Sequence, residues 1–175
     1  RDSREIADIA ILHDETSFAF DAMEAWKSRF GLEEILISRH FFYRVVFAED
    51  LASLNDCAVL ILPDLTCLSD TVCAMVKDFA HRGGSVVLTG RTGWFNDRFG
   101  ERCANAFADL LASKQAIALP NAPEKASMHH PHQRTIDIPT GADEVCAVFD
   151  SMLTQKRVGV AAPPTVAVEH TRLSS

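Results

Sequence analysis

AVLILPDLTCLSDTVCAMVKDFAHRGGSVVLTGRTGWFNDRFGERC, residues Ala58 to Cys103, decides the fold. Ala58–Leu62 is an uninterrupted apolar run that ends at a Pro-Asp turn, as a strand buried on both faces does. Ser69 then stands where a helix cap is wanted. Val72, Met75, Val76, Phe79 and Ala80 recur at helical spacing, which predicts a helix over Asp70–Arg82 stopped by Gly83-Gly84. A second buried run, Ser85–Thr89, leads into Gly90-Arg91-Thr92-Gly93. Strand, helix, strand with this spacing is a parallel crossover unit, and ligands and chemistry gather at the carboxyl ends of such strands.

The alternation extends outward. Asp8–Leu12 is strand-like and runs into the polar segment His13-Asp14-Glu15-Thr16-Ser17. A helix is predicted over Phe18–Phe30, with Ala19, Met23, Trp26 and Phe30 inward and Gly31 as its end. Leu32–Phe41 reads as a second helical piece, Arg44–Phe47 as a short strand, and Cys103–Leu111 as a further helix through Ala104, Phe107, Ala108 and Leu111. Ala116–Leu119 and Val158–Ala161 read as strands and Ala142–Leu153 as a helix, around a Pro- and His-rich stretch from Pro120 to Pro139. Repeated strand and helix predict one α/β domain over 1–175: a three-layer, flavodoxin-like, doubly wound parallel sheet.

Composition narrows the function classes. With 175 residues, 47% of them hydrophobic, one sizeable core can be buried. A net charge of −7 with scattered basic residues argues against a nucleic-acid partner. No apolar run approaches the length of a membrane span. Cys57, Cys67, Cys73, Cys103 and Cys146 show no paired spacing, so reduced thiols and a cytoplasmic setting are expected. The chain starts at Arg1 without Met and stops just after the strand-like Val166–His170. Both ends read as cut edges of a longer polypeptide.

The words VLILPDLTCLSD and VKDFAHRGGSVVLTGRTGWFNDRFGER also carry a family resemblance. From Ala7 to Leu111 the chain resembles the class I glutamine amidotransferase-like domain that follows the catalytic barrel in trimer-forming beta-galactosidases and related glycoside hydrolases. The resemblance implies a domain that holds subunits together and supports the barrel, with the sugar-cleaving nucleophile and acid on the barrel. It implies no cofactor. The partners it implies are a second copy or the parent barrel, with carbohydrate bound in the parent enzyme.

A working amidotransferase needs a Cys on a strained strand-to-helix turn, activated by a His. Laying the family's Gly-x-Cys-x-Gly turn over Leu88–Gly93 puts Arg91 at the nucleophile position, and a guanidinium has no lone pair with which to attack. Arg91, with Thr92 and nearby amides, would instead anchor an anion or a partner carboxylate, or else pair with Asp97, Asp64 or Glu15 to pin its own loop. His13, Asp14 and Glu15 suit acid-base or metal chemistry, or a helix N-terminus. Cys67 lies in a functional location without a base beside it. Trp94, Phe95 and Phe99 around Asp97 suit a sugar or an interface. His129, His130 and His132 form the one dense ligand cluster, either a metal site or an exposed metal-scavenging loop. Two readings stand: a non-catalytic assembly domain of a glycoside hydrolase, and a small-molecule or carbohydrate-binding module that uses the edge around Arg91.

Overall fold

The computed structural model describes residues 3–5, 7–119, 141–153 and 171–173. β1 (Ser3–Glu5) pairs antiparallel with β7 (Thr171–Leu173), bringing the two end segments side by side. The body is a five-stranded sheet of β2 (Ile9–Leu12), β3 (Tyr43–Val46), β4 (Val59–Leu62), β5 (Ser85–Thr89) and β6 (Ala116–Leu119), in the order β3-β2-β4-β5-β6. All four pairings are parallel. This is the flavodoxin-like doubly wound arrangement that the alternation predicts.

Each central strand is buried on both faces and splits its side chains between two cores. Leu60 and Leu62 of β4 face α3 (Asp70–His81) through Val72, Val76 and Phe79. Val59 and Ile61 face Leu32, Ile35 and Leu36 of α2 (Ala22–Ser38) and Val145 and Phe149 of α5 (Ala142–Met152). Helices therefore cover both faces of the sheet. Ser69 caps α3 by accepting the Val72 N–H at 3.1 Å, as its position predicts.

Three details differ from the sequence reading. The break in the first helical region falls at Asp21, between α1 (Glu15–Phe20) and α2, and α2 runs straight through a buried Gly31. The roughly 1 kcal/mol that glycine costs in a helix interior is outweighed by packing against the sheet. Second, the buried face of α2 is Ala25, Ser28, Gly31, Leu32, Ile35 and Leu36, so Met23 and Trp26 point outward. Third, the helix expected from Cys103 shrinks to α4 (Ala108–Ala112). Asn105 is responsible: its amide donates to the Thr92 carbonyl at 2.7 Å and its Oδ1 accepts the Phe107 N–H at 2.8 Å, holding residues 103–107 as a turn. The strands expected at Val158–Ala161 and Val166–His170, and the Pro120–Pro139 stretch, lie outside the described residues.

Candidate functional site

Four loops meet at the carboxyl edge of the sheet, after β2, β3, β4 and β5. After β2, the His13 N–H donates to the Val46 carbonyl at 2.8 Å, tying this loop to the end of β3. The His13 ring packs on Phe18 at 4.4 Å and edge-on to Phe47 at 5.3 Å. Burial and the nearby Arg29 guanidinium lower its pKa. Arg29 Nη1 lies 3.4 Å from Nδ1, so an uncharged ring accepts there and keeps its proton on Nε2. Asp14 is buried and caps α1, accepting the Ser17 N–H at 2.9 Å. Burial pushes its carboxyl pKa up, against the pull of that hydrogen bond. Glu15 stands exposed in the first turn of α1. These three residues are neighbours in sequence but point to three different environments.

After β4 and β5 the loops lock together through Asp64. Its N–H donates to Thr89 Oγ1 at 2.9 Å, and Thr89 Oγ1 donates back to Asp64 Oδ2 at 3.2 Å. With that proton spent, Ser28 of α2 is the donor in its 2.9 Å contact with Thr89. Asp64 Oδ1 accepts the Arg91 backbone N–H at 3.0 Å. The residue in the left-handed region directly after β5 is Gly90, at φ +51°, and a Cβ built on it would overlap the Asp64 carboxylate. Where a nucleophile elbow strains a functional side chain, this turn has no room for one.

Arg91 itself is exposed, with its guanidinium 5.1 Å over the Phe95 ring. Among the described residues no carboxylate pairs with it, so the expected ion pair with Asp97, Asp64 or Glu15 is replaced by the backbone bond to Asp64. Thr92 is sealed: its hydroxyl is within 2.8 Å of the Thr89 carbonyl and 3.0 Å of Leu62, and it accepts the Leu65 N–H at 3.0 Å. It has nothing to offer a ligand. Cys67 is also fully buried, its carbonyl accepting the Ser17 hydroxyl, and burial pushes its thiol pKa up.

Residues 96–100 form a tight turn in which Asn96 Oδ1 accepts the N–H groups of Arg98 and Gly100, with Asp97 exposed at the tip. Phe95 is half-buried, its ring 5.4 Å from Phe20, and Phe99 stacks on Phe20 at 5.2 Å. Arg102 anchors the loop to the start of α3 through the Leu68 carbonyl and Asp70. Among the described residues six large apolar side chains are exposed: Phe20, Met23, Trp26, Phe47, Trp94 and Phe99. All six stand at this one edge. The sequence reading singled out Trp94 and Phe99 and missed the other four. For Met23 and Trp26 the signal was the small-residue stripe Ala25, Ser28 and Gly31, which takes the buried face of α2 and leaves those two facing out. His129, His130 and His132 lie outside the described residues, and no group of three metal-ligating side chains occurs within them. No described helix is long and apolar enough to cross a membrane.

The arrangement is a doubly wound, flavodoxin-like α/β domain whose turn after β5 is closed by Asp64 and whose carboxyl edge carries exposed aromatics. The chain belongs to the beta-galactosidase trimerisation domain family, whose model matches residues 7–110. A search of curated proteins returns no match. Among solved structures, the chain is similar to a beta-galactosidase from Bacillus circulans sp. alkalophilus, with 18% identity over 62% of this chain and 18% of that one, at a TM-score of 0.55. A catalytic mutant of Gan42B, a GH42 beta-galactosidase from G. stearothermophilus, aligns with 20% identity over 73% of this chain and 19% of that one, at a TM-score of 0.52. A beta-galactosidase from Bifidobacterium adolescentis aligns with 25% identity over 62% of this chain and 52% of that one, at 0.51. The chain thus spans about a fifth of the length of the first two relatives.

Proposed function

We propose that residues 1–175 are a single, non-catalytic assembly domain of a glycoside hydrolase, acting through the carboxyl edge of its sheet. The observation that carries this is the gathering of all six exposed large apolar side chains of the described residues at that edge. Aromatic side chains bury about 150–250 Å² each. At the observed 39–51% exposure, the five aromatic side chains and Met23 together present on the order of 500 Å² of apolar surface, at the upper end of the range for the largest patch on a monomer. His13, Trp94, Phe95 and Phe99 frame this surface, and Arg91 supplies a charge within it. A self-associating copy or the parent barrel is the partner. The spacing of the five cysteines, with no paired pattern, fits a reducing, cytoplasmic setting.

The non-catalytic part of the reading rests on the closed elbow. Gly90 has no side chain to react, Arg91 has no nucleophilic lone pair, and Cys67 is buried as a thiol. Arg91, without a carboxylate among the described residues, keeps one alternative in view: an anion or carbohydrate module at the same edge. Tryptophan fluorescence separates the two, because Trp26 and Trp94 are the chain's two tryptophans and both lie on this surface. Assembly predicts that acrylamide quenching weakens as protein concentration rises. Quenching that is independent of concentration but weakened by galactose or phosphate would favour the binding module and overturn assembly.

A further inference from the structure

The His13 ring sits where three elements meet, and each of its contacts suits an uncharged imidazole. Phe18 of α1 lies 4.4 Å from it, and Phe47, directly after β3, lies 5.3 Å away edge-on. From α2, Arg29 brings Nη1 to 3.4 Å from Nδ1, and because a guanidinium only donates, Nδ1 must supply the lone pair. Arg29 is not free to retreat. Its Nε donates to Glu33 Oε1 at 2.9 Å in a largely buried pair, and its guanidinium carbon lies 5.9 Å from the centre of the Trp26 ring. Trp26 in turn meets Phe18 edge-on at 5.6 Å. The imidazole thus joins the Phe47 end of the edge to the Trp26 face of α2.

The acids around the ring are engaged elsewhere or turned to water. Asp14 caps α1 through the Ser17 N–H, Glu33 is taken by Arg29, and Asp50 of the 3-10 turn Ala48–Ser53 accepts the Phe47 N–H at 2.9 Å. Glu15 and Glu49 are exposed. Among the described residues the ring's one hydrogen bond is that with Arg29. A proton added at Nδ1 therefore finds no acceptor: it takes the lone pair that Arg29 uses and meets a fixed cation at close range. We propose that His13 is a proton-operated latch on the carboxyl edge: charging the imidazole drives the ring out from between Phe18 and Phe47, toward Glu15 and solvent, and loosens the Phe47 end of the aromatic surface. The latch belongs to the edge itself, whichever partner covers that edge, so it stands apart from the assembly reading. Burial and Arg29 lower the pKa of His13 from the ordinary 6.5, while Glu15 and Asp14 pull the other way and less strongly. The latch is accordingly closed at neutral pH and opens on acidification.

Proton NMR of the full 175-residue chain across the imidazole titration range tests this. The His13 ring protons should show cross-relaxation to the Phe18 and Phe47 rings above their titration midpoint and lose it below, and that midpoint should lie under 6.5. Arg29→Met keeps an aliphatic stem against Trp26 but removes the charge and the donor. In that variant the midpoint should move up in pH, and the contacts with both rings should survive protonation. Asp14→Asn keeps a capping oxygen and should leave the wild-type transition in place, although burial raises the pKa of the Asp14 carboxyl it removes. A charged ring that keeps both contacts in the wild-type chain, or a midpoint that Arg29→Met leaves unmoved or lowers, would overturn the latch. So would a transition that vanishes in Asp14→Asn while His13 still titrates, since the Asp14 carboxyl would then be the group that moves the ring.

Discussion

Gly90→Ala should be among the most damaging single-atom additions in this protein. Gly90 adopts φ +51°, where an L residue costs about 1–2 kcal/mol. The added Cβ would also occupy the place of Asp64 Oδ1, so the carboxylate must swing away. It then loses the Arg91 N–H at 3.0 Å and the Thr89 hydroxyl at 3.2 Å. Hydrogen bonds to a charged acceptor contribute about 1.5–3 kcal/mol each when shielded, less here because Asp64 is only half-buried. The sum is a loss of roughly 3–5 kcal/mol, a large fraction of a typical 5–15 kcal/mol stability. Asp64 itself sits at φ +48°, so Asp64→Gly removes the obstructing carboxylate at a residue that suits glycine. In that background Gly90→Ala should cost only the backbone term, about 1–2 kcal/mol. Urea unfolding of the four proteins, with unchanged m values, gives the coupling. Equal costs in the two backgrounds would refute the account of a turn closed by Asp64.

Other consequences are simpler to check. Ser69→Ala removes the α3 cap and should lower stability by about 1 kcal/mol by urea titration. The lowered pKa of His13 means the unfolded chain takes up its proton first as pH falls below about 6.5. His13 therefore costs stability increasingly from there down to its folded pKa, and His13→Gln should flatten that part of the profile of unfolding midpoint against pH. Among the thiols, exposed Cys103 should react first with iodoacetamide. Buried Cys67, and Cys73, whose pKa burial raises to about 11, should label only on unfolding.

The helix ends show what the sequence could and could not disclose. α3 ends with Gly83 in the left-handed region, the Gly84 N–H bonding to the Phe79 carbonyl. α2 ends in the same motif, with His40 at φ +56° and the Phe41 N–H bonding to Leu36 at 2.9 Å. α4 repeats it at Lys114, with Gln115 bonding to Leu110. Only the first used glycine, so only the first was legible, and Gly31 drew the stop signal that belonged to His40. The central strands β2, β4 and β5 were readable because they are apolar runs buried on both faces. The site was legible in part: residue types alone show Arg91 rather than Cys in the turn after β5, whereas the closure of that turn by a carboxylate reaching across from the β4 loop to Gly90 is a tertiary contact that no local pattern discloses. The aromatic edge was half-seen for the same reason, since which face of α2 meets the sheet depends on how closely small residues allow it to approach.

The central claim is that this chain acts by association through its carboxyl edge, and the mass of the protein in solution tests it most directly. Trp94 and Phe99 are exposed at 39% and 51%, so replacing both with Ala should leave circular dichroism and the unfolding midpoint near wild type. Light scattering across a concentration series should show the wild-type mass rising above the 19.3 kDa of one chain, while the Trp94→Ala, Phe99→Ala variant stays at it. A variant that keeps the wild-type mass and instead loses stability would place these rings in the core and contradict the account.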